Sequence, residues 1–319
     1  MNAVVMEIPQ PQADDVIGAV RAELERRGLT QTQIAREAGI SPTSLTQLLG
    51  GTYAADPRRL LAKLEQWLTS LRERAAQPQL PDAPDWVATG TAERILAALG
   101  YAQMAGDVAV IYGGAGVGKS TAAREYRRRY PNVWHATMSP ATAGVTTALE
   151  EVCLALGMRE LPQGAARMSR EIVARVRDTR GLIIVDEAQH LSVGALDALR
   201  AIHDATGVGL ALMGNDLVYA RMTGGARVAW LDRLFSRIGR RLRVARASRA
   251  DVEAIADAHG VGGGDALKRL ATIGAGAGAL RSVTKCLRLA RLMAAGRGES
   301  LSAAHIDAAW RDLTGEDVQ

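Results

Sequence analysis

The residues best equipped for chemistry in this chain form one run, Gly113-Gly114-Ala115-Gly116-Val117-Gly118-Lys119-Ser120. It fits the spacing G-x-x-x-x-G-K-[ST] without a mismatch. Glycines so spaced let backbone N–H groups converge on a polyphosphate, and a helix starting at the end of the run adds partial positive charge. Lys119 would reach the β- and γ-phosphates, and the Ser120 hydroxyl would ligate Mg²⁺. The residues from Gly113 through Thr121 are therefore the expected nucleotide contacts, with ATP and Mg²⁺ as cofactors. A second set follows at Leu182-Ile183-Ile184-Val185-Asp186-Glu187, an apolar run that ends in two carboxylates. Asp186 is suited to the Mg²⁺ shell, and Glu187 to orienting or deprotonating an attacking water. Asn215 closes the next apolar run, where a polar side chain could sense the γ-phosphate. The competing role for an Asn at that place is a turn or helix cap.

These groups must be carried by a parallel sheet. Continuous apolar runs read as strands buried on both faces, and ligands of open α/β sheets sit at the carboxyl ends of such strands. Candidate strands are 108–112, 133–138, 182–186, 208–213 and 241–245, alternating with helical stretches such as Thr121 to Tyr130. The expected organisation has five parts. These are a leader over 1–13, an all-α helix-turn-helix domain over 14–74, a Pro-rich linker over 75–85, an α/β core over 86–247 and a helical lid over 248–319. In the N-terminal domain Val16, Ile17, Val20 and Leu24 fall on one helical face. Thr30 opens a short helix, Gly39 ends it, and Ser41-Pro42 caps and starts the next. Thr43, Ser44 and Gln47 of that second helix are the expected major-groove side chains. None of them is Arg or Lys, and small hydroxyls discriminate bases poorly, which predicts weak sequence choice.

Composition sets the partners. The chain has 319 residues and a net charge of +5, with only 4% aromatic residues, a balance that favours phosphate-backbone contact over base stacking. Nine arginines lie between Arg221 and Arg249 with a single acid, Asp232. Arg127, Arg128 and Arg129 form another basic group. They are candidates for DNA contact and equally for favourable interaction with a helix C-terminus. Cys153 and Cys286 have no paired spacing, which argues against a zinc site and fits a reducing, cytoplasmic location. No apolar run is long enough for a membrane span.

The glycine loop, the Asp186-Glu187 strand, the strand ending in Asn215 and the helical C-terminal region together resemble an AAA+ ATPase. The fold class expected is therefore an α/β AAA+ core with a small helical lid, preceded by the helix-turn-helix domain. The resemblance makes Asn215 a sensor of the γ-phosphate. It also makes Arg281, in Gly278-Ala279-Leu280-Arg281, a lid arginine that closes on that phosphate. It further implies an arginine that reaches the nucleotide of a neighbouring subunit. Arg237, in Leu234-Phe235-Ser236-Arg237-Ile238, is the first choice and Arg233 the second.

More specifically, the chain resembles the phage Mu B family. The segments that carry this likeness include Asp186-Glu187-Ala188, Leu212-Met213-Gly214-Asn215, Met222-Thr223-Gly224-Gly225 and Leu234-Phe235-Ser236-Arg237-Ile238. Position 189 is Gln and the second loop residue is Gly114, which are local departures. The resemblance implies an ATP-dependent oligomer that forms a helical filament on double-stranded DNA of a bacterial host. It would recruit and stimulate a transposase, and hydrolysis would release the DNA. Two other readings share the same core, a helicase-loader ATPase and an ATP-responsive transcription regulator.

Overall fold

The computed structural model describes residues 10–76, 84–218 and 236–318. The chain divides into two compact units, Met1–Gln79 and Leu80–Gln319.

The first unit is built from α1 (Gln10–Arg27), α2 (Gln31–Glu37), α3 (Pro42–Leu49) and α4 (Arg58–Ala76). Thr30 caps α2 in a reciprocal box with Gln33, and Ser41 caps α3 with Pro42 at its first position. Polar caps at both starts and Gly39 in left-handed conformation between them give the sharp turn between two short helices. The apolar face of each helix meets one core containing Val20, Ile34, Leu45, Leu64 and Trp67. Trp67 also donates its indole N–H to Glu37 at 3.0 Å, which ties α4 to α2.

The second unit begins with α5 (Gly90–Ala105), then β1 (Val108–Gly113), α6 (Lys119–Arg129) and β2 (Val133–Thr137). It continues through α7 (Val145–Ala155), α8 (Ala165–Val176), β3 (Leu182–Asp186), α9 (Val193–Thr206), β4 (Gly209–Gly214) and β5 (Ile238–Val244). The strands are all parallel and lie in the order β2-β3-β4-β1-β5. Alternation sorts them between two cores: Val108, Val110, Ile183, Val185, Leu210 and Leu212 face one side of the sheet. Ala109, Ile111, Leu182, Ile184, Ala211 and Met213 face the other, against α5 and α6. Both faces are thus covered, which is why β3 and β4 read as unbroken apolar runs.

The fifth strand starts three residues before its sequence-based estimate. Its sequence, Ile-Gly-Arg-Arg-Leu-Arg-Val, alternates buried residues with arginines because it is the sheet edge, where charge discourages further pairing. Helices α10 (Arg249–Ala258), α11 (Gly264–Ala275), α12 (Ala279–Arg297) and α13 (Ala303–Thr314) follow. They enclose a third core that includes Val252, Leu270, Val283, Leu287 and Ile306. Arg221, Arg227, Met222-Thr223-Gly224-Gly225 and the finger candidate Arg233 lie outside the described residues, as does most of the Pro-rich stretch.

Candidate nucleotide site

The loop after β1 turns directly into α6, whose N-terminus is set by Gly118 in left-handed conformation. Lys119 is the first residue of α6, so the helix begins two residues earlier than its apolar pattern suggests. Its Nζ donates to the carbonyls of Gly113 at 3.0 Å and Gly114 at 2.6 Å. Burial pushes the Lys119 pKa below its ordinary value, against the opposing pull of Asp186 and Glu187.

Gly116 is where the lid meets the loop. Its φ is +74°, and a Cβ there would stand 1.9 Å from the Gly278 carbonyl oxygen. Its own carbonyl accepts the backbone N–H of Arg281 at 3.3 Å. Only glycine permits so close an approach of two backbones. A cavity of about 510 Å³ opens beside this contact. Ala115, Gly116, Gly118, Lys119, Ser120, Thr121, Glu187 and Arg281 all line it, so the fold brings these expected residues together.

Asp186, at the end of β3, is only 2% exposed. Burial would raise its pKa, but the approach of His135, a hydrogen bond from Ser120 and the Glu187 N–H at 2.9 Å hold it below the ordinary value. A carboxylate kept ionised beside a serine hydroxyl suits a hard divalent cation that takes its remaining oxygens from phosphate and water. His135 Nε2 stands 3.6 Å from Asp186 Oδ2 and has no hydrogen-bond partner. Glu187 adopts a left-handed backbone with φ of 55°. The short helical turn after it, Ala188–His190, folds Gln189 back so that its amide donates to the Glu187 carboxylate.

Part of the cavity lining was not legible from motifs. Trp86, Val87, Ile255, Leu280 and His259 also line it, contributed by the segment before α5 and by the lid. Burial, with Arg291 and Arg288 nearby, lowers the His259 pKa and favours its neutral form. Apolar residues at that separation from a phosphate loop carry no local spacing signal, since three distant segments supply them.

Other expected residues lie elsewhere. Asn215 is not among those lining the cavity, and its side-chain oxygen accepts the Leu217 N–H at 2.9 Å, a cap-like bond. Its own N–H donates to Gln189 at 3.3 Å. Arg237 is exposed and pairs with Asp204 at 3.0 Å. Arg127, Arg128 and Arg129 are all exposed, and Arg128 and Arg129 both grip the buried Glu125 at 2.7 Å. In the N-terminal unit Thr43 and Gln47 are exposed on α3 and Ser44 is half-buried. No described helix is long and apolar enough to cross a membrane.

Three family models match the chain. "AAA domain" covers residues 103–222, "Helix-turn-helix" covers 20–62, and "Mu B transposition protein, C terminal" covers 236–313. Glu187 lines the same cavity as the phosphate loop, whereas Asp186 is not among the lining residues and meets the loop through Ser120. The AAA match identifies the chain as an ATPase of that class. ATP-dependent target DNA activator B of Escherichia phage Mu is 38% identical over 299 residues, covering 94% of this chain and 95% of the relative. The protein of the same name from Escherichia phage D108 matches to the same extent. The Mu-like prophage FluMu DNA transposition protein B of Haemophilus influenzae is 35% identical over 85% of this chain and 94% of its own length. The chain belongs to the family of the phage Mu B transposition protein.

Proposed function

We propose that this chain is an ATP-controlled activator of target DNA for transposition, acting in the cytoplasm of a bacterial host. The carrying observation is the 38% identity over 94% of the chain to relatives named as ATP-dependent target DNA activators. With ATP and Mg²⁺ bound, subunits assemble on double-stranded DNA as a helical filament with little sequence preference. The filament recruits and stimulates a transposase, and hydrolysis ends the assembled state. Linkage supplies the logic: a ligand that favours assembly multiplies weak phosphate contacts through effective concentration.

In the site, the glycine loop and Lys119 hold the β- and γ-phosphates, Ser120 and Asp186 hold Mg²⁺, and Glu187 activates water. The bound Mg²⁺ would polarise the phosphoryl oxygens. Asn215 and Arg281 register the γ-phosphate, and Arg237 completes a neighbour's site. The base lies against Val87, Ile255 and Leu280. On the DNA side, Thr43, Ser44 and Gln47 face the groove and Arg127 the backbone, with Arg128 and Arg129 partly neutralised by Glu125.

Electron microscopy with double-stranded DNA and a slowly hydrolysed ATP analogue tests this reading. The parent chain should give helical filaments and Lys119→Ala none. Filaments of normal abundance from that variant would sink the switch.

A further inference from the structure

Glu187 does not stand alone at the end of β3. Its left-handed backbone reverses the chain, and the turn Ala188–His190 returns the Gln189 side chain over it. One end of the Gln189 amide donates from Nε2 to Glu187 Oε2. The other end, Oε1, accepts the backbone N–H of Asn215 at 3.3 Å. Gln189 is 8% exposed and both bonds are partly buried, so an amide held at both ends has little rotational freedom. The end of β4 makes room for it: a Cβ on Gly214 would stand 2.2 Å from Gln189 Oε1. β3 and β4 are already neighbours in the sheet, and this side chain, which no motif singles out, adds a link between the residues that follow them, Glu187 and Asn215.

We infer that Gln189 is the positioning residue for Glu187, fixing the carboxylate by one hydrogen bond and tying its orientation to the β4 terminus at Asn215. A base that must meet a water in line with a phosphoryl group works only from a narrow set of orientations. A third group that orients the base is the recurring solution. With Oε2 engaged by Gln189, Oε1 is left to accept from water. Movement at Asn215 is then transmitted to the carboxylate through a single rigid amide. This inference rests on the assignment of Glu187 as the water-activating base.

The experiment uses the full chain with saturating ATP and DNA and compares Gln189→Met, Gln189→Glu, Glu187→Gln and Gln189→Met/Glu187→Gln. Gln189→Met keeps the volume and removes both hydrogen bonds; Gln189→Glu keeps the acceptor for Asn215 and removes the amide donor. Each single change at 189 should lower kcat by about 10- to 100-fold, the usual cost of losing an outer orienting partner, while KM and ATP affinity stay at parental values. The double variant should be no slower than Glu187→Gln, because an orienter has no role once the base is gone. Parental kcat in Gln189→Glu would overturn the inference, since the donor would then be dispensable. So would a loss in Gln189→Met that adds fully to that of Glu187→Gln, or one accompanied by an equal loss of ATP affinity. If Glu187→Gln itself hydrolyses ATP at the parental rate, the base assignment has failed. If Glu187→Gln is inactive and both changes at 189 are silent, only the role of Gln189 has failed.

Discussion

Arg237 carries a charge whose meaning depends on which subunit it serves. Within its own chain it pairs with Asp204 at 3.0 Å and does not line the nucleotide cavity. An exposed pair of this kind is worth little and is readily exchanged. In the proposed assembly its guanidinium would leave Asp204 for a neighbour's γ-phosphate, where a cation supplied in trans stabilises the transition state. Arg237→Ala should then reduce turnover in the assembled oligomer by about 10³-fold or more, with nucleotide affinity unchanged. Turnover on DNA and equilibrium binding of a fluorescent ATP analogue check this, and an equal loss of binding would exclude the role in trans. At this scale the phosphate loop and the two acids were legible in sequence because their spacing is local. Gln189 was visible there only as a departure, and His135, Val87 and Ile255 not at all, because contacts between distant segments define them.

Among the elements, α10 is held to α5 by one buried carboxylate. Asp251 is fully buried and accepts from Thr91 N at 2.9 Å, Thr91 Oγ1 at 2.7 Å and Ser248 N at 2.9 Å. Removing it strands several donors at once, so Asp251→Ala should cost about 3 kcal/mol in urea unfolding. If α5 and α10 do not depend on this clamp, the denaturation midpoint will not move. Helix α6 ends on a different device, Glu125 beneath Arg128 and Arg129. Hydrogen bonds from these two arginines lower the Glu125 pKa to about 2, from an ordinary value of 4.5. A depressed carboxylate contributes stability that is fully present above its unfolded pKa and is lost as pH falls through the folded one. The gap in Tm between the parent and Glu125→Gln should therefore be constant near neutrality and shrink between about pH 4.5 and pH 2. A gap that persists to pH 2 would show that the arginines do not control this group. Most element types could be read from apolar period and caps. The edge strand β5 was placed late by three residues because its alternating arginines hide its start.

For the molecule as a whole, two units with separate cores separate two tasks. A chain beginning at Leu80 retains the cavity-lining residues and three of the cores, so it should bind ATP with parental affinity. In the proposed reading it loses the groove-facing helix and its part of the DNA contact. Anisotropy titrations over a salt series should then show weaker binding, with a slope of log affinity against log salt shallower by about 0.9 for each phosphate contact removed. Failure of this shortened chain to bind ATP would show that the units are not independent.

What the sequence determined by itself was whatever depends on neighbours along the chain: the glycine loop, the acidic strand end, the capped short helices and the alternation of strand with helix. Local spacing is enough for these because backbone geometry repeats. The tertiary structure alone decided which charges are free. Between Arg221 and Arg249 the sequence offers nine arginines and one acid, but Asp204 and Asp216 come from elsewhere to pair with Arg237 and Arg243. It also decided that the lid touches the loop at Gly116 and that Gln189 joins Glu187 to Asn215. Such contacts unite segments whose separation in sequence leaves no period or spacing to read, and only the packing of strands and helices brings them within hydrogen-bond reach.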